Sequence, residues 1–328
     1  MAEPIMDTRV RSTTIMVYMN RLFGLIPFIL LIVAIVILRR EFAAIEWSDI
    51  SRTIHEVDAT SLIGTVICIV LCYTASASSD WMGVRHVGSD MPLRQIIKTA
   101  VLARCFSNTI GVSVLSGGAI RYRYYTNAGL SPLKIGRVIL IYSFGCAVGL
   151  ITIAGIAFVL YPQDISVPHF TSSRPLGFAL LATSAVYLIY TFIIKKPIRI
   201  GRIIITPFEP RLAAPHLPFA MFDWLAGALG LYFILPLLPE FSVQTIITTY
   251  FLAIIVGHVS GVPSAIGVFE AAIIILLGGE NIKGTLLPWL ILYRLIFYLI
   301  PFCMAFIYVA MTVSGGIRGL LNKEKPPP

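Results

Sequence analysis

The stretch SNTIGVSVLSGGAIRYRYYTNAGLSP, residues 107–132, begins inside an apolar run and interrupts it with Gly111, Gly117 and Gly118. It then empties into Arg121 and Arg123 among Tyr122, Tyr124 and Tyr125. What such an interruption means depends on the solvent around it. With 57% hydrophobic and 12% charged residues in 328, against about a quarter charged in soluble domains, the chain reads as an integral membrane protein. In lipid, backbone that leaves helical geometry finds no water, so it must bury its amides in protein or line a wet cavity. The break is a candidate site.

The expected fold class is all-α: a polytopic membrane protein of about eight transmembrane helices with re-entrant or broken segments. Leu22–Leu38 reads as an uncleaved first span, because Arg39 and Arg40 follow it where a signal peptide would carry small residues. Thr60–Ser79 is a second span, closing at Asp80-Trp81. Bases flank both ends of residues 96–120, with Arg94 and Lys98 before and Arg121, Arg123, Lys134 and Arg137 after. That pattern predicts a re-entrant hairpin rather than a crossing. Val138–Tyr161 and Pro175–Ile194 complete a first half, residues 22–194. Residues 195–217 form a basic cytoplasmic loop whose prolines argue against a continuous helix. Pro218–Leu238, Phe241–His258, Val262–Leu277 and Leu286–Val313 make a second half, 218–313, with a broken segment at 258–270. The tail NKEKPPP is too short for a soluble catalytic domain.

Charge tests this topology. It places 19 of the 25 lysines and arginines inside, five outside (Arg39, Arg40, Arg52, Arg174 and Lys283) and Arg294 within a span. Arg104 is counted with the cytoplasmic side. The bias obeys the positive-inside rule and sets both termini in the cytoplasm. The net charge of +9 is thereby assigned to anionic lipid rather than to nucleic acid.

Two breaks recur in corresponding halves, NTIGVSVLSGG and HVSGVPSAIGVFE. Interrupted apolar segments in both halves point to a transporter binding site, because half-helix N-termini aim partial positive charge at an anionic group. Glycines that merely allow close helix packing are the plainer reading of either break alone. Ser116, Gly117, Gly118 and Ser264 belong to these breaks. Arg121 and Arg123 follow the first, and arginine's planar fork suits phosphate; a juxtamembrane anchor is the plainer alternative. Charged groups inside spans are costly and usually functional. Glu270 and Arg294 are the clearest, and are expected to pair; Asp80 and Asp223, near span ends, fit helix capping equally well.

No catalytic constellation is visible. The five histidines never fall at ligand spacing, the five cysteines show neither metal nor disulfide spacing, and no Ser-His-Asp or Walker pattern occurs. The expectation is a non-enzyme without metal or cofactor. His258, beside the second break, is a candidate polar lining.

At SDWMGVRH, SVLSGGAIRYRYYTNAGLSP, SGVPSAIGVFE and LYRLIFYLIP the chain resembles the membrane region of the bacterial lysylphosphatidylglycerol synthetase/flippase family and the related stand-alone UPF0104 membrane proteins. The resemblance runs over nearly the whole length and implies a polytopic lipid-flipping module in a bacterial inner membrane. It sets Asp80, Arg121, Arg123, Glu270 and Arg294 on the family's polar motif positions. The implied function is translocation or binding of a phospholipid-type headgroup, with lysylphosphatidylglycerol as one cargo. The rival is a non-transporting membrane partner of a separate lipid synthase or glycosyltransferase in a hopanoid or glycolipid pathway. The expected partner is membrane phospholipid, not nucleic acid, with an oligomer allowed.

Overall fold

A computed structural model describes residues 47–111, 113–164, 172–194, 198–200, 203–205, 209–235 and 241–323, all within one compact unit, Ile45–Pro328. The expected first span, Leu22–Leu38, lies outside these residues. Among them the protein is all-α apart from one small hairpin, and five helical stretches are long and apolar enough to cross a membrane.

Helix α1 (Trp47–Glu56) precedes α2 (Ala59–His86), which Asp58 caps by accepting from the Thr60 N–H at 3.2 Å. At 28 residues, α2 rises about 42 Å, enough to span with tilt. Next come α3 (Leu93–Ile110) and α4 (Ser113–Asn127), joined at Gly111 and packed on each other as a helical hairpin. The break expected in residues 96–120 is thus a turn between two helices. Gly117 and Gly118, read as part of it, are interior to α4.

The long helices α5 (Pro132–Leu160), α6 (Arg174–Ile189, extended by a π turn Tyr190–Ile194) and α7 (Pro210–Ile234) follow. Between α6 and α7 lies an antiparallel hairpin of β1 (Ile198–Ile200) and β2 (Ile203–Ile205), with Arg199 opposite Ile204. The basic loop therefore ends sooner than expected. Helix α7 starts at Pro210 and carries Pro215 and Pro218 inside it. Pro210 at the first position forfeits no backbone bond, because the first N–H groups have no intrahelical partner; Pro215 and Pro218, in the second and third turns, each remove one, and the helix runs through both.

Helix α8 (Val243–Val259) and α9 (Val268–Leu277) pack on each other across a break that holds a 3₁₀ turn at Pro263–Ala265. Ten residues of α9 rise about 15 Å, half of a hydrocarbon core of about 30 Å. The second break, like the first, is the turn of a helical hairpin. Helix α10 (Glu280–Arg294) then runs through a π turn (Leu295–Leu299) into α11 (Ile300–Lys323).

The core lies where α2, α5, α7, α8, α9 and α10 meet. Tyr250, Phe269, Tyr293 and Phe297 are each no more than 3% exposed and touch in series, edge-on for Tyr250–Phe269 with centroids 5.7 Å apart, stacked for Phe269–Tyr293 at 6.4 Å and tilted for Tyr293–Phe297 at 5.0 Å. Such pairs add directional attraction to area burial. In lipid, where no hydrophobic effect drives helices together, this packing ties the second hairpin to α10.

Candidate functional site

The two hairpin turns touch. Gly111 ends α3 with φ +75°, a conformation natural to glycine, and a Cβ there would run into the Ser264 backbone nitrogen and come within 3.0 Å of Pro263 Cα. Ser264 Oγ donates to the Asn108 carbonyl at 2.6 Å. Ser264 and Ala265 hold φ of +55° and +51°, a left-handed conformation that costs a residue with a Cβ roughly 1–2 kcal/mol. Arg294 supports that turn: its guanidinium donates to the Ser264 and Ala265 carbonyls at 3.2 Å each and to Glu270 Oε2 at 3.1 Å. Glu270 in turn accepts the Gly267 N–H at 2.9 Å. One arginine thus binds α10, the turn and the start of α9 together, and the expected Glu270–Arg294 pair is formed.

A second polar chain runs through the first half and ends on α7 in the second. Asp80 (0% exposed) and Arg121 (1% exposed) lie inside the bundle, with Arg121 Nε donating to Asp80 Oδ1 at 2.8 Å and Oδ2 at 3.1 Å. The other face of that guanidinium lies 3.9 Å from the centroid of Tyr142. The Tyr142 hydroxyl accepts from Arg104 at 3.4 Å, and Arg104 forms a two-point pair with Asp223, its Nη2 standing 2.8 Å from Oδ1. The series Asp80, Arg121, Tyr142, Arg104, Asp223 joins α2, α4, α5, α3 and α7. Each charge is paired, the condition under which ions persist in a low-dielectric interior.

Arg104, Tyr142, Asn108, Gly111, Ser264 and Arg294 all line one cavity of about 640 Å³. Trp224, Tyr250, Phe269 and Tyr298 give it aromatic walls. His258 lines it as expected, its Nδ1 2.8 Å from the Ile254 carbonyl. Arg104 lines the cavity, and its Nε is buried without a hydrogen-bond partner in the protein. A concave site of several hundred Å³ with few convergent polar groups has the form of a small-molecule or headgroup site.

The structure redistributes the expected residues. Ser264, Glu270 and Arg294 come together at the second turn, and Asp223 stands behind the cavity through Arg104. Asp80 neither caps a helix nor stays wet, because it faces Arg121 in the interior of α2. Arg121 and Arg123 do not converge: two positions on a helix differ by about 200°, so Arg121 turns inward while Arg123 is half-buried on the other side. Ser116 is buried, and its Oγ donates to the Gly111 carbonyl at 3.0 Å. Gly117 is a packing residue, since a Cβ there would strike Ser107 Oγ and the Ala103 carbonyl. Gly118 meets only Ile139 Cδ1 at 3.6 Å.

Two residues of the site lacked a place in the sequence reading. Arg104, counted among cytoplasmic bases, sits in AVLARCF with apolar neighbours, which is the signal that separates it from a loop base. Tyr142 sits in LIYSFG and nothing local marks it.

No family model matches the chain. The uncharacterized protein slr0712 of Synechocystis sp. is 30% identical over 267 residues, covering 78% of this chain and 80% of that one. Inner membrane protein YbhN of Escherichia coli is 27% identical over 288 residues, covering 85% and 88%. The phosphatidylglycerol lysyltransferase of Staphylococcus haemolyticus is 23% identical over 317 residues, 93% of this chain but 36% of that protein.

Proposed function

The chain belongs to the family that joins the membrane region of the lysylphosphatidylglycerol synthetase/flippase proteins to stand-alone relatives such as slr0712 and YbhN, and on that premise we propose that it is a lipid translocase of the bacterial inner membrane. Its central cavity takes the headgroup of a membrane phospholipid. The observation that carries this reading is the meeting of both hairpin turns at a cavity walled by two arginines. Arg104 brings its positive charge to the cavity wall, where it attracts a phosphate, and Asp223 behind it orients the guanidinium. Arg294 holds the Ser264–Ala265 turn that closes the cavity. The aromatic walls suit an ammonium through cation–π attraction, which favours an aminoacylated headgroup such as lysylphosphatidylglycerol over a bare anion.

In this reading the chain is not an enzyme: it binds and reorients, and a gradient or a downstream sink gives direction. Both termini face the cytoplasm. Full-length protein reconstituted with a headgroup-labelled phosphatidylglycerol tests the proposal, with membrane-impermeant quenching as the readout. Wild type is expected to expose inner-leaflet label, and Arg104→Gln to slow that at least tenfold, the worth of one charge-assisted hydrogen bond at about 1.5–3 kcal/mol. Lipid bound by the purified protein without any flipping would replace translocation by the holding role of a partner to a separate lipid synthase or glycosyltransferase.

A further inference from the structure

A groove of about 850 Å³ lies between α2, α3 and α11. Helical period defines its walls: Leu93, Ile97, Val101 and Cys105 recur every four residues on α3, and Pro301, Met304 and Tyr308 every three or four on α11. Both stripes continue into the cavity. On α3 the groove's Cys105 adjoins the cavity's Arg104, and on the last span the groove's Pro301 follows the cavity's Tyr298 by three residues. The groove therefore abuts the cavity within one turn, about 5.4 Å of rise, on two separate helices.

The groove surface is apolar in effect. The hydroxyls of Thr74 and Ser78 donate to their own helix, to the carbonyls of Val70 at 2.8 Å and Thr74 at 2.9 Å, and the Tyr73 hydroxyl lies 3.2 Å from Cys105 Sγ. Beside Tyr308, at the end away from the cavity, Lys98 Nζ sits between two rings, 4.9 Å from the Tyr308 centroid and 5.2 Å from that of Tyr124. An apolar channel with a cation at one end and arginines at the other matches an amphiphile with an anionic head.

We infer that this groove seats one acyl chain of the lipid whose headgroup enters the cavity, an assignment that rests on the headgroup reading above. Length supports a chain. The α2 wall from Ile69 to Trp81 measures about 18 Å, close to the roughly 15 Å of one leaflet of the hydrocarbon core.

The test uses the full chain in detergent and measures affinity for dihexanoyl and dipalmitoyl phosphatidylglycerol. Thr74 is exposed and lines the groove, so Thr74→Trp fills it from outside the core; Ser78→Trp serves if that variant fails to fold. Val186→Trp on α6, at a residue 67% exposed and away from the groove, is the control. Thr74→Trp is expected to weaken the dipalmitoyl lipid about tenfold, roughly the transfer of two methylenes, while changing the dihexanoyl lipid less than about twofold. Equal loss for both lipids, or no loss for either, overturns the groove assignment. Arg104→Gln should weaken both lipids alike. If it weakens neither, the headgroup reading falls, and with it the lipid assigned here, even where chain-length dependence persists.

Discussion

Arg121 is answered on one side by a carboxylate and on the other by a ring, and it has no route to water. Removing one member of such a pair leaves a buried charge uncompensated, which costs about 3–5 kcal/mol. Asp80→Asn and Arg121→Gln are each expected to lower the thermal midpoint of the detergent-solubilised protein by that equivalent. The double variant should recover part of the loss, since it removes both charges; strictly additive losses would show that the two side chains do not depend on each other. Backbone matters as much at Gly111, where the left-handed φ and the neighbouring Ser264 nitrogen both exclude a Cβ. Gly111→Ala should cost at least about 1 kcal/mol and reduce transport, whereas Gly118→Ala, with nothing nearer than 3.6 Å, should leave both nearly unchanged. Arg294 was legible from sequence because apolar residues surround it for two turns on each side. Arg104 was not, because Arg94 and Lys98 lie close before it and invite a count by flank rather than by depth. Its partner Asp223 is 119 positions away, a separation over which no periodicity speaks.

At the scale of elements, the breaks were legible because glycine and proline interrupt runs that are otherwise helical. Their form was less so. Residues 262–277 read as a crossing until the strand of backbone at Ser260–Gly267 is seen to consume a third of it, leaving an α9 of ten residues. The two hairpins are joined to the bundle through opposite neighbours in the chain, α3–α4 after the basic end of α2 and α8–α9 before the acidic start of α10. We expect them to enter from opposite membrane faces. Cysteines replacing Asp90 and Asn127 should react with an impermeant reagent from the cytoplasmic face, and those replacing Ser242 and Gly284 from the outer face. All four reacting from one face would reject the opposed arrangement. Moving Arg104 and Arg121 from the inner tally to the interior leaves seventeen of the 25 bases inside, so the orientation argument survives the correction.

For the molecule as a whole, the two halves are not independent lobes. Helix α2 packs along α7, Arg104 reaches Asp223, and Ser264 reaches Asn108. A chain cut between Ile200 and Ile203 and co-expressed as two fragments should therefore be recovered as one complex. Asp223→Asn should lower that recovery several-fold, by stranding Arg104 in the interior at a cost of about 3 kcal/mol; unchanged recovery would mean that apolar packing alone joins the halves.

The π turn at Leu295–Leu299 has a bearing on length as well as on shape. A π turn accommodates one residue more than an α turn, so a single deletion there can be absorbed by reverting to α-helix without severing the span. The wide turn and the α turn that would replace it close nearly the same angle, so everything beyond would keep its face relative to Arg294. Pro301, Met304 and Tyr308 would stay opposite α3, and Lys98 would keep both of its rings. Deleting Ile296 should accordingly yield a folded protein that retains dipalmitoyl-lipid selectivity; loss of that selectivity would show that the face beyond had turned. The extra residue is slack in the helix: the count between Arg294 and Tyr308 can fall by one while the two ends still address the same side of the molecule.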